Sequence, residues 1–271
     1  MNPTKLTRRK RPISAEPVVS TAVAVQKIAG GNGQGHGPAS GLQPAPAINR
    51  NGDDKKLFNW IRKTLYVPAV SDILDEMGYR QQAMHQRLRP LDSENCTVVG
   101  RARPFRWMET DYVIEEDPYG LEIDAMDSLQ PGDVPVHSTD ALGVNAPWGE
   151  LMSTAAKRNG AVGCICDSLV RDCRKIVALG FPVFCAGIRP VDSKGRARVM
   201  SYDVPVKCGD VLVRPHDLIF ADFDGVVVIP QKIEAEVLRR SAEKVGKENQ
   251  SRRELIEGRT LREVFSRYGV L

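Results

Sequence analysis

The feature that most constrains the fold is an alternation of amphipathic and apolar segments in the middle of the chain. Gly149 opens a segment with helical spacing, and residues 161–166 form an apolar run of the length of a buried strand. After a predicted turn over residues 167–172, residues 173–179 are helix-like and residues 181–185 are again strand-like. Helices that alternate with buried strands bring the strands back in the same direction, so we predict an α/β fold with parallel pairing.

The C-terminal third has a different pattern of short strands. Apolar runs at residues 202–206, 211–213, 218–222 and 226–230 are separated by turns rich in Gly, Asp and Pro. Strands this closely spaced are typical of a small barrel or a curled sheet.

The first 52 residues differ from the rest of the chain in composition. They hold seven Lys or Arg and one acid, together with Gly- and Pro-rich stretches and no periodic apolar pattern. Such a segment buries too little apolar surface to offset the entropy of ordering. We therefore predict a disordered basic extension over residues 1–52 and one folded domain over residues 53–271. The net charge of +4 comes from the extension, so nothing in the folded part predicts a nucleic-acid partner.

The apolar runs and the cysteines indicate the compartment. No apolar run approaches the ~18–20 residues that span a bilayer, which predicts that the protein has no membrane partner. The six cysteines lie mostly inside apolar runs, as is typical of buried thiols in a reducing compartment. A cytoplasmic location is the expectation.

Three polar residues flank the central α/β unit: Glu150, and the adjacent pair Arg171 and Asp172. A helix that opens at Gly149 leaves N–H groups free for a carboxylate, and Arg offers a planar fork for a small anion. One carboxylate that leaves room for several waters is typical of Mg²⁺ binding. Structural alternatives remain open at this point. Asp172 could cap the next helix, Glu150 suits a first helical turn, and Arg171 could pair with any surface acid. A lone histidine, His137, is more often structural than functional.

Four segments, in this order, resemble the RraA-like family: residues 147–151, 167–172, 204–209 and 221–228. The similarity extends over about residues 55–260. The family includes class II aldolases acting on 4-hydroxy-4-methyl-2-oxoglutarate and 4-carboxy-4-hydroxy-2-oxoadipate. The resemblance implies an α/β fold, an αββα sandwich with a central β-barrel-like sheet. It also implies a homotrimer or homohexamer with active sites between subunits.

The resemblance assigns roles to individual side chains. Asp172 matches the direct ligand of Mg²⁺ or Mn²⁺, and Arg171 matches the clamp on the pyruvoyl group. Glu150 matches the acid that orients the working water, although the better-studied aldolases have Asp there. Glu248 is the nearest match to an acid that a neighbouring subunit brings to that water.

The backbone after Gly149 has a role as well, since the N–H groups of Leu151 and Met152 match the donors to the carboxylate of a small 2-oxo acid. The turn contains Ser168, where many relatives have Gly. The implied reaction is retro-aldol cleavage of a 4-hydroxy-2-oxo acid with release of pyruvate. Oxaloacetate decarboxylation is the expected side activity.

A non-catalytic function competes with this one. Some members of the family bind and inhibit a ribonuclease, and these lack the metal-binding Asp. The presence of Asp172 favours the enzyme.

Overall fold

Strands from all parts of the folded region come together in one mixed sheet with helices on both of its sides. The structure is a computed structural model, which describes Pro46 and residues 54–139 and 145–270. The predicted disorder of residues 1–52 therefore lies outside the described residues, apart from Pro46. The described residues all belong to one unit, Gly41–Leu271, and the domain boundary at residue 53 stays a prediction.

Helices and strands alternate in the first half of the described chain, and strands dominate the second half until two closing helices. The helices are α1 (Lys55–Thr64), α2 (Val67–Glu76), α3 (Leu121–Asp127), α4 (Glu150–Arg158), α5 (Cys173–Leu179), α6 (Glu234–Ile256) and α7 (Leu261–Tyr268). The strands are β1 (Arg89–Pro90), β2 (Val98–Glu109), β3 (Asp133–Thr139), β4 (Cys164–Val170), β5 (Val183–Ile188), β6 (Ala197–Tyr202), β7 (Val206–Cys208), β8 (Val211–Val213), β9 (Leu218–Asp222) and β10 (Gly225–Ile229).

The main sheet has the order β1-β5-β4-β3-β2-β9-β10, and β6 also pairs with β2. The neighbours among β2, β3, β4 and β5 are parallel, as the alternation of segments predicted. The sheet curls toward closure because the segment before β1 meets its opposite edge. Met84 N–H donates to the Val226 carbonyl (2.8 Å), and Val228 N–H donates to the Gln82 carbonyl (2.9 Å). The expected α/β fold with a nearly closed, barrel-like sheet is confirmed.

Three apolar clusters give the fold its layers. One fills the barrel interior and includes Val136, Ile165 and Phe184. A second lies between the sheet and helices α1, α2 and α6. The third lies under α3, α4 and α5 and includes Trp107 and Trp148. Strand β3 faces apolar layers on both sides, which explains why six of its seven residues are buried.

The predicted turn over residues 167–172 is wrong for its first four residues, because β4 continues to Val170. The pairing of β4 with β5 shifts register between Cys166 and Leu169, which is a local bulge. The polar residues that predicted a turn form hydrogen bonds there with residues that are distant in the sequence. Asp167 accepts a hydrogen bond from Thr139 N–H (2.7 Å), and the buried Ser168 hydroxyl donates to the Asn145 carbonyl (3.3 Å).

The predicted burial of cysteines is confirmed for five of the six, and Cys173 is partly buried; all six are free thiols. The structural interpretation of His137 also holds. Its ring is fully buried, stacks on Phe105, and accepts a hydrogen bond at Nδ1 from Trp107 Nε1 (2.9 Å). Burial lowers the pKa of His137 to about 3, so the ring is neutral. Among residues 54–139 and 145–270, no helix is both long enough and apolar enough to cross a bilayer.

Candidate functional site

The start of α4 is fixed against the end of β4 through Trp148. This residue forms a parallel bridge with Val170, and its carbonyl accepts a hydrogen bond from Arg171 N–H (3.0 Å). Its indole Nε1 donates to the Ser153 hydroxyl (2.8 Å), which in turn donates to the Gly149 carbonyl (3.0 Å). Because Trp148 and Ser153 are buried, the first turn of α4 is held beside the Arg171-Asp172 pair.

Gly149 is required by this close approach. A Cβ atom at Gly149 would lie 3.0 Å from Asp172 Oδ2 and 3.3 Å from Arg171 Cγ. A side chain there would displace one or both of these groups.

Asp172 has an unusual backbone conformation for a residue with a side chain. Its φ of 59° and ψ of 26° are left-handed, a region that Asp tolerates better than most residues. It precedes α5, but its carboxylate makes no capping hydrogen bond, so the N-cap interpretation of its side chain is wrong. Instead Oδ2 accepts a long hydrogen bond from Glu150 N–H (3.4 Å). No Lys, Arg or His of the described ranges forms an ion pair with it.

A cavity of about 260 Å³ lies at this junction. Five of the predicted residues line it together: Gly149, Leu151, Met152, Arg171 and Asp172. In α4 the Ser153 N–H donates to the Gly149 carbonyl (3.0 Å). The N–H groups of Leu151 and Met152 come before that bond and have no intrahelical acceptor. The cavity thus combines helix N–H donors, a guanidinium and a carboxylate.

The cavity is also lined by Tyr119, Glu122 and Asp192, which together we call the acidic wall. Asp192 Oδ1 forms an ion pair with Arg171 Nη2 (3.2 Å), and its Oδ2 accepts a hydrogen bond from the Tyr119 hydroxyl (3.1 Å). We did not predict this wall from the sequence. One signal was present, since Glu122 precedes Ala125 and Met126 by three and four residues and so shares the core-facing side of a helix.

Glu122 is a buried acid, with 5% of its surface exposed. Burial is the main cause that raises its pKa from 4.5 to about 8. The nearby Asp192 carboxylate raises it further, and the Arg171 guanidinium lowers it. The Glu122 carboxyl is therefore mostly protonated at neutral pH and can donate a hydrogen bond into the cavity.

The two other predicted acids do not line this cavity. Glu150 begins α4 beside it, and its carboxylate accepts a hydrogen bond from the Thr154 hydroxyl (2.9 Å). Glu248 lies on α6 in a separate cavity, where Lys244 Nζ is 3.5 Å from its carboxylate. Burial raises the pKa of Glu248. A role for this residue needs a neighbouring subunit and stays a prediction.

The described residues contain no cluster of three or more His, Cys, Asp or Glu that could form a protein-only metal cage. The arrangement fits a cation that keeps most of its waters, because Asp172 offers a carboxylate with no basic partner. Mg²⁺ and Mn²⁺ have this preference for oxygen ligands. The metal stays a prediction.

Comparison with known proteins identifies the family. The model of the RraA-like family, described as Aldolase/RraA, matches residues 67–228. The chain belongs to the RraA-like family. A protein of Halalkalibacterium halodurans with a provisional 4-hydroxy-4-methyl-2-oxoglutarate aldolase assignment is 35% identical over 182 residues, 67% of this chain and 80% of that protein.

Two crystal structures show the same RraA-like fold. Streptomyces coelicolor RraAS2, described as an unusual member of the RNase ES inhibitor RraA protein family, is 28% identical with a TM-score of 0.68. The alignment covers 75% of this chain and 100% of that one. A structure described among novel cellulases from microbes associated with the gut ecosystem is 29% identical with a TM-score of 0.69, covering 76% and 90%.

Proposed function

We propose that this protein is a divalent-metal-dependent, class II aldolase that cleaves a 4-hydroxy-2-oxo acid and releases pyruvate. Decarboxylation of oxaloacetate is proposed as its side activity. One observation carries the proposal: Arg171, Asp172 and the first turn of α4 line a single small cavity. The aldolase assignment of the relative from Halalkalibacterium halodurans supports the same class of reaction.

The first turn of α4 and Arg171 would bind opposite ends of the pyruvoyl group of the 2-oxo acid. The N–H groups of Leu151 and Met152 point out of the helix start, where the helix dipole also favours a carboxylate. The Arg171 guanidinium supplies two parallel donors to the oxygens at the other end of the pyruvoyl group. Ligand binding would compete with Asp192 for Arg171, since the two side chains are paired at 3.2 Å.

Asp172 is the residue that would hold Mg²⁺ or Mn²⁺. A bound cation would supply Lewis-acid stabilisation of the negative charge that develops on the C2 oxygen. The left-handed backbone of Asp172 turns its carboxylate toward α4 and not onto α5, which is the orientation this role needs.

The cleavage requires only proton transfers and no redox partner. The C3–C4 bond breaks and its electron pair stays on C3, while the C4 hydroxyl loses its proton as the C4 carbonyl forms. C3 then takes up a proton, which gives pyruvate and an aldehyde or a second oxo acid. We assign Glu150 to orient the water that carries these protons. This role needs the Glu150 carboxylate to leave the Thr154 hydroxyl that it now accepts from.

The test is coupled detection of pyruvate from oxaloacetate and from 4-hydroxy-4-methyl-2-oxoglutarate. We expect pyruvate with Mg²⁺, a loss with chelator, and recovery when Mn²⁺ or Mg²⁺ is returned. Asp172→Ala should lower kcat/KM by at least about a hundredfold. Asp75→Ala, which removes an exposed acid of α2, is the matched control and should leave the rate unchanged.

Equal rates with and without the Asp172 carboxylate would contradict the metal role. The similarity to RraAS2 supports a second candidate, a ribonuclease-binding regulator. Absence of pyruvate from every 2-oxo acid, together with inhibition of a ribonuclease that survives Asp172→Ala, would establish that function instead.

We also propose that the protein is a cytoplasmic homotrimer or homohexamer in which Glu248 completes a neighbour's site. Light scattering gives the subunit number directly. In a mixture of Asp172→Ala and Glu248→Gln subunits, some sites regain both intact residues. Activity above that of either variant alone would support a shared site, and activity no higher than either would place Glu248 outside it.

A further inference from the structure

Two carboxylates lie within reach of the Arg171 guanidinium, and it pairs with one of them. Arg171 Nη2 forms an ion pair with Asp192 Oδ1 at 3.2 Å, whereas no ion pair joins Arg171 to Asp172, both of which the structure describes. Yet a Cβ atom at Gly149 would lie 3.5 Å from Arg171 Nε and 3.0 Å from Asp172 Oδ2. Because both atoms approach the same point, the guanidinium is close enough to pair with either acid.

Asp192 is fixed in a position that suits this pair. Its Oδ2 accepts a hydrogen bond from the Tyr119 hydroxyl (3.1 Å), and its Oδ1 accepts one from the Ser193 N–H (2.8 Å). Ser193 is buried, and its carbonyl accepts a hydrogen bond from the Ala197 N–H (2.9 Å). Since the Asp192 carboxylate is already ordered, pairing with Arg171 costs little further conformational entropy.

The other acids of the cavity attract the guanidinium less. Asp172 Oδ2 accepts a long hydrogen bond from the Glu150 N–H (3.4 Å), which orders its carboxylate only weakly. Burial raises the pKa of Glu122 to about 8, so this carboxyl is mostly protonated at neutral pH. Among the described lining residues, Asp192 is therefore the charged and ordered acid that competes with Asp172 for Arg171.

We infer that Asp192 is a positioning residue that keeps Arg171 away from Asp172 and so leaves the Asp172 carboxylate free for the divalent cation. The inference rests on the proposed function, which assigns the cation to Asp172. A guanidinium paired with Asp172 would have to be displaced by the entering cation, and its positive charge would repel that cation. The ion pair that competes with the 2-oxo acid thus protects the metal ligand.

Binding of Mn²⁺ alone tests the inference, because the electron paramagnetic resonance signal of free Mn²⁺ gives a dissociation constant without turnover. Asp192→Asn keeps the shape of the side chain and removes its charge, and it should weaken Mn²⁺ binding at least about tenfold. Asp192→Glu keeps a charged acid within reach of Arg171 and should stay within about threefold of the wild type. Asp75→Asn removes an exposed charge of α2 as a control and should leave Mn²⁺ binding unchanged.

A double-mutant cycle separates this role from the simple loss of a negative charge near the site. Arg171→Met removes the guanidinium that could capture Asp172. In that background Asp192→Asn should weaken Mn²⁺ binding only about twofold, through the lost charge alone. An effect of equal size with and without Arg171 overturns the inference. An unchanged affinity of the single variant Asp192→Asn overturns it as well, and this result is expected if a neighbouring subunit brings another acid to Arg171.

The position of Arg171 gives a readout that does not need the metal. In a crystal structure of metal-free Asp192→Asn, we expect the guanidinium to lie within about 4 Å of the Asp172 carboxylate. A guanidinium that stays in its wild-type position overturns the inference. Wild-type protein that binds no Mn²⁺ contradicts the metal role in the proposed function, and the crystal structure of the variant then decides by itself whether Asp192 keeps Arg171 from Asp172.

Discussion

Replacing Glu122 by Gln tests whether the buried carboxyl of this residue lowers the free energy of unfolding. The substitution keeps the shape and hydrogen-bonding capacity of the side chain but removes its ability to ionise. In the folded protein the carboxyl is 5% exposed, and burial raises its pKa from 4.5 to about 8. In the unfolded chain it ionises normally. Between these two values the folded state therefore binds one more proton than the unfolded state.

The sign and size of the effect follow from that proton. Each pH unit between 4.5 and 8 lowers the free energy of unfolding of the wild type by about 1.4 kcal/mol. The variant Glu122→Gln does not show this pH-dependent decrease in the free energy of unfolding. We therefore expect the variant to gain about 3 kcal/mol over the wild type at pH 7, rising to about 5 kcal/mol above pH 8. Near pH 4.5 this contribution disappears.

Urea unfolding at a series of pH values from 5 to 9 measures the difference, with chelator present so that metal binding does not contribute. The fluorescence of the buried Trp107 and Trp148 reports the transition. Glu115→Gln, the same substitution at an exposed glutamate, shows how much of any change comes from the chemistry of the substitution alone.

A stability difference between Glu122→Gln and the wild type that stays constant from pH 5 to 9 would refute the reasoning. It would mean that Glu122 titrates alike in the folded and unfolded states. The expected rise, in contrast, would show that the cavity keeps an acid at a cost to stability, as is common where a residue serves binding.

Three further substitutions have expected outcomes. Gly149→Ala should lower kcat/KM at least about tenfold with a native circular dichroism spectrum, because the new Cβ would contact Asp172 Oδ2 at 3.0 Å; full activity would show that the approach is not critical. Trp107→Phe leaves His137 Nδ1 without its donor and should lower the free energy of unfolding by about 1–3 kcal/mol in urea titrations. Arg103→Met leaves the buried Asp133 and the exposed Asp203 without their ion-pair partner. It should cost about 3–5 kcal/mol by the same measurement, mainly through Asp133, whereas a loss below 1 kcal/mol would contradict the pairing.

The sequence predicted the order of the central elements better than their ends. Apolar runs identified the strand after α4 and the parallel pairing, but polar residues at positions 167 and 168 suggested a turn where β4 continues. The reason is physical: Asp167 and Ser168 find hydrogen-bond partners in Thr139 and Asn145, which are distant in sequence. Local patterns cannot show that a polar residue inside a strand will find a hydrogen-bond partner far away in the sequence.

The sequence by itself determined the α/β class, the curled strands of the C-terminal third, and the group of Gly149, Arg171 and Asp172. The class and the strands depend on periodicity, whereas the grouping of the three residues depends on the resemblance to the RraA-like family. Only the tertiary structure showed that Glu122 of α3 and Asp192 line the same cavity, because these two residues are seventy positions apart along the chain. Burial decided the rest. The pKa of Glu122 is raised to about 8 because of the residues that pack around it, and the sequence pattern does not show that packing.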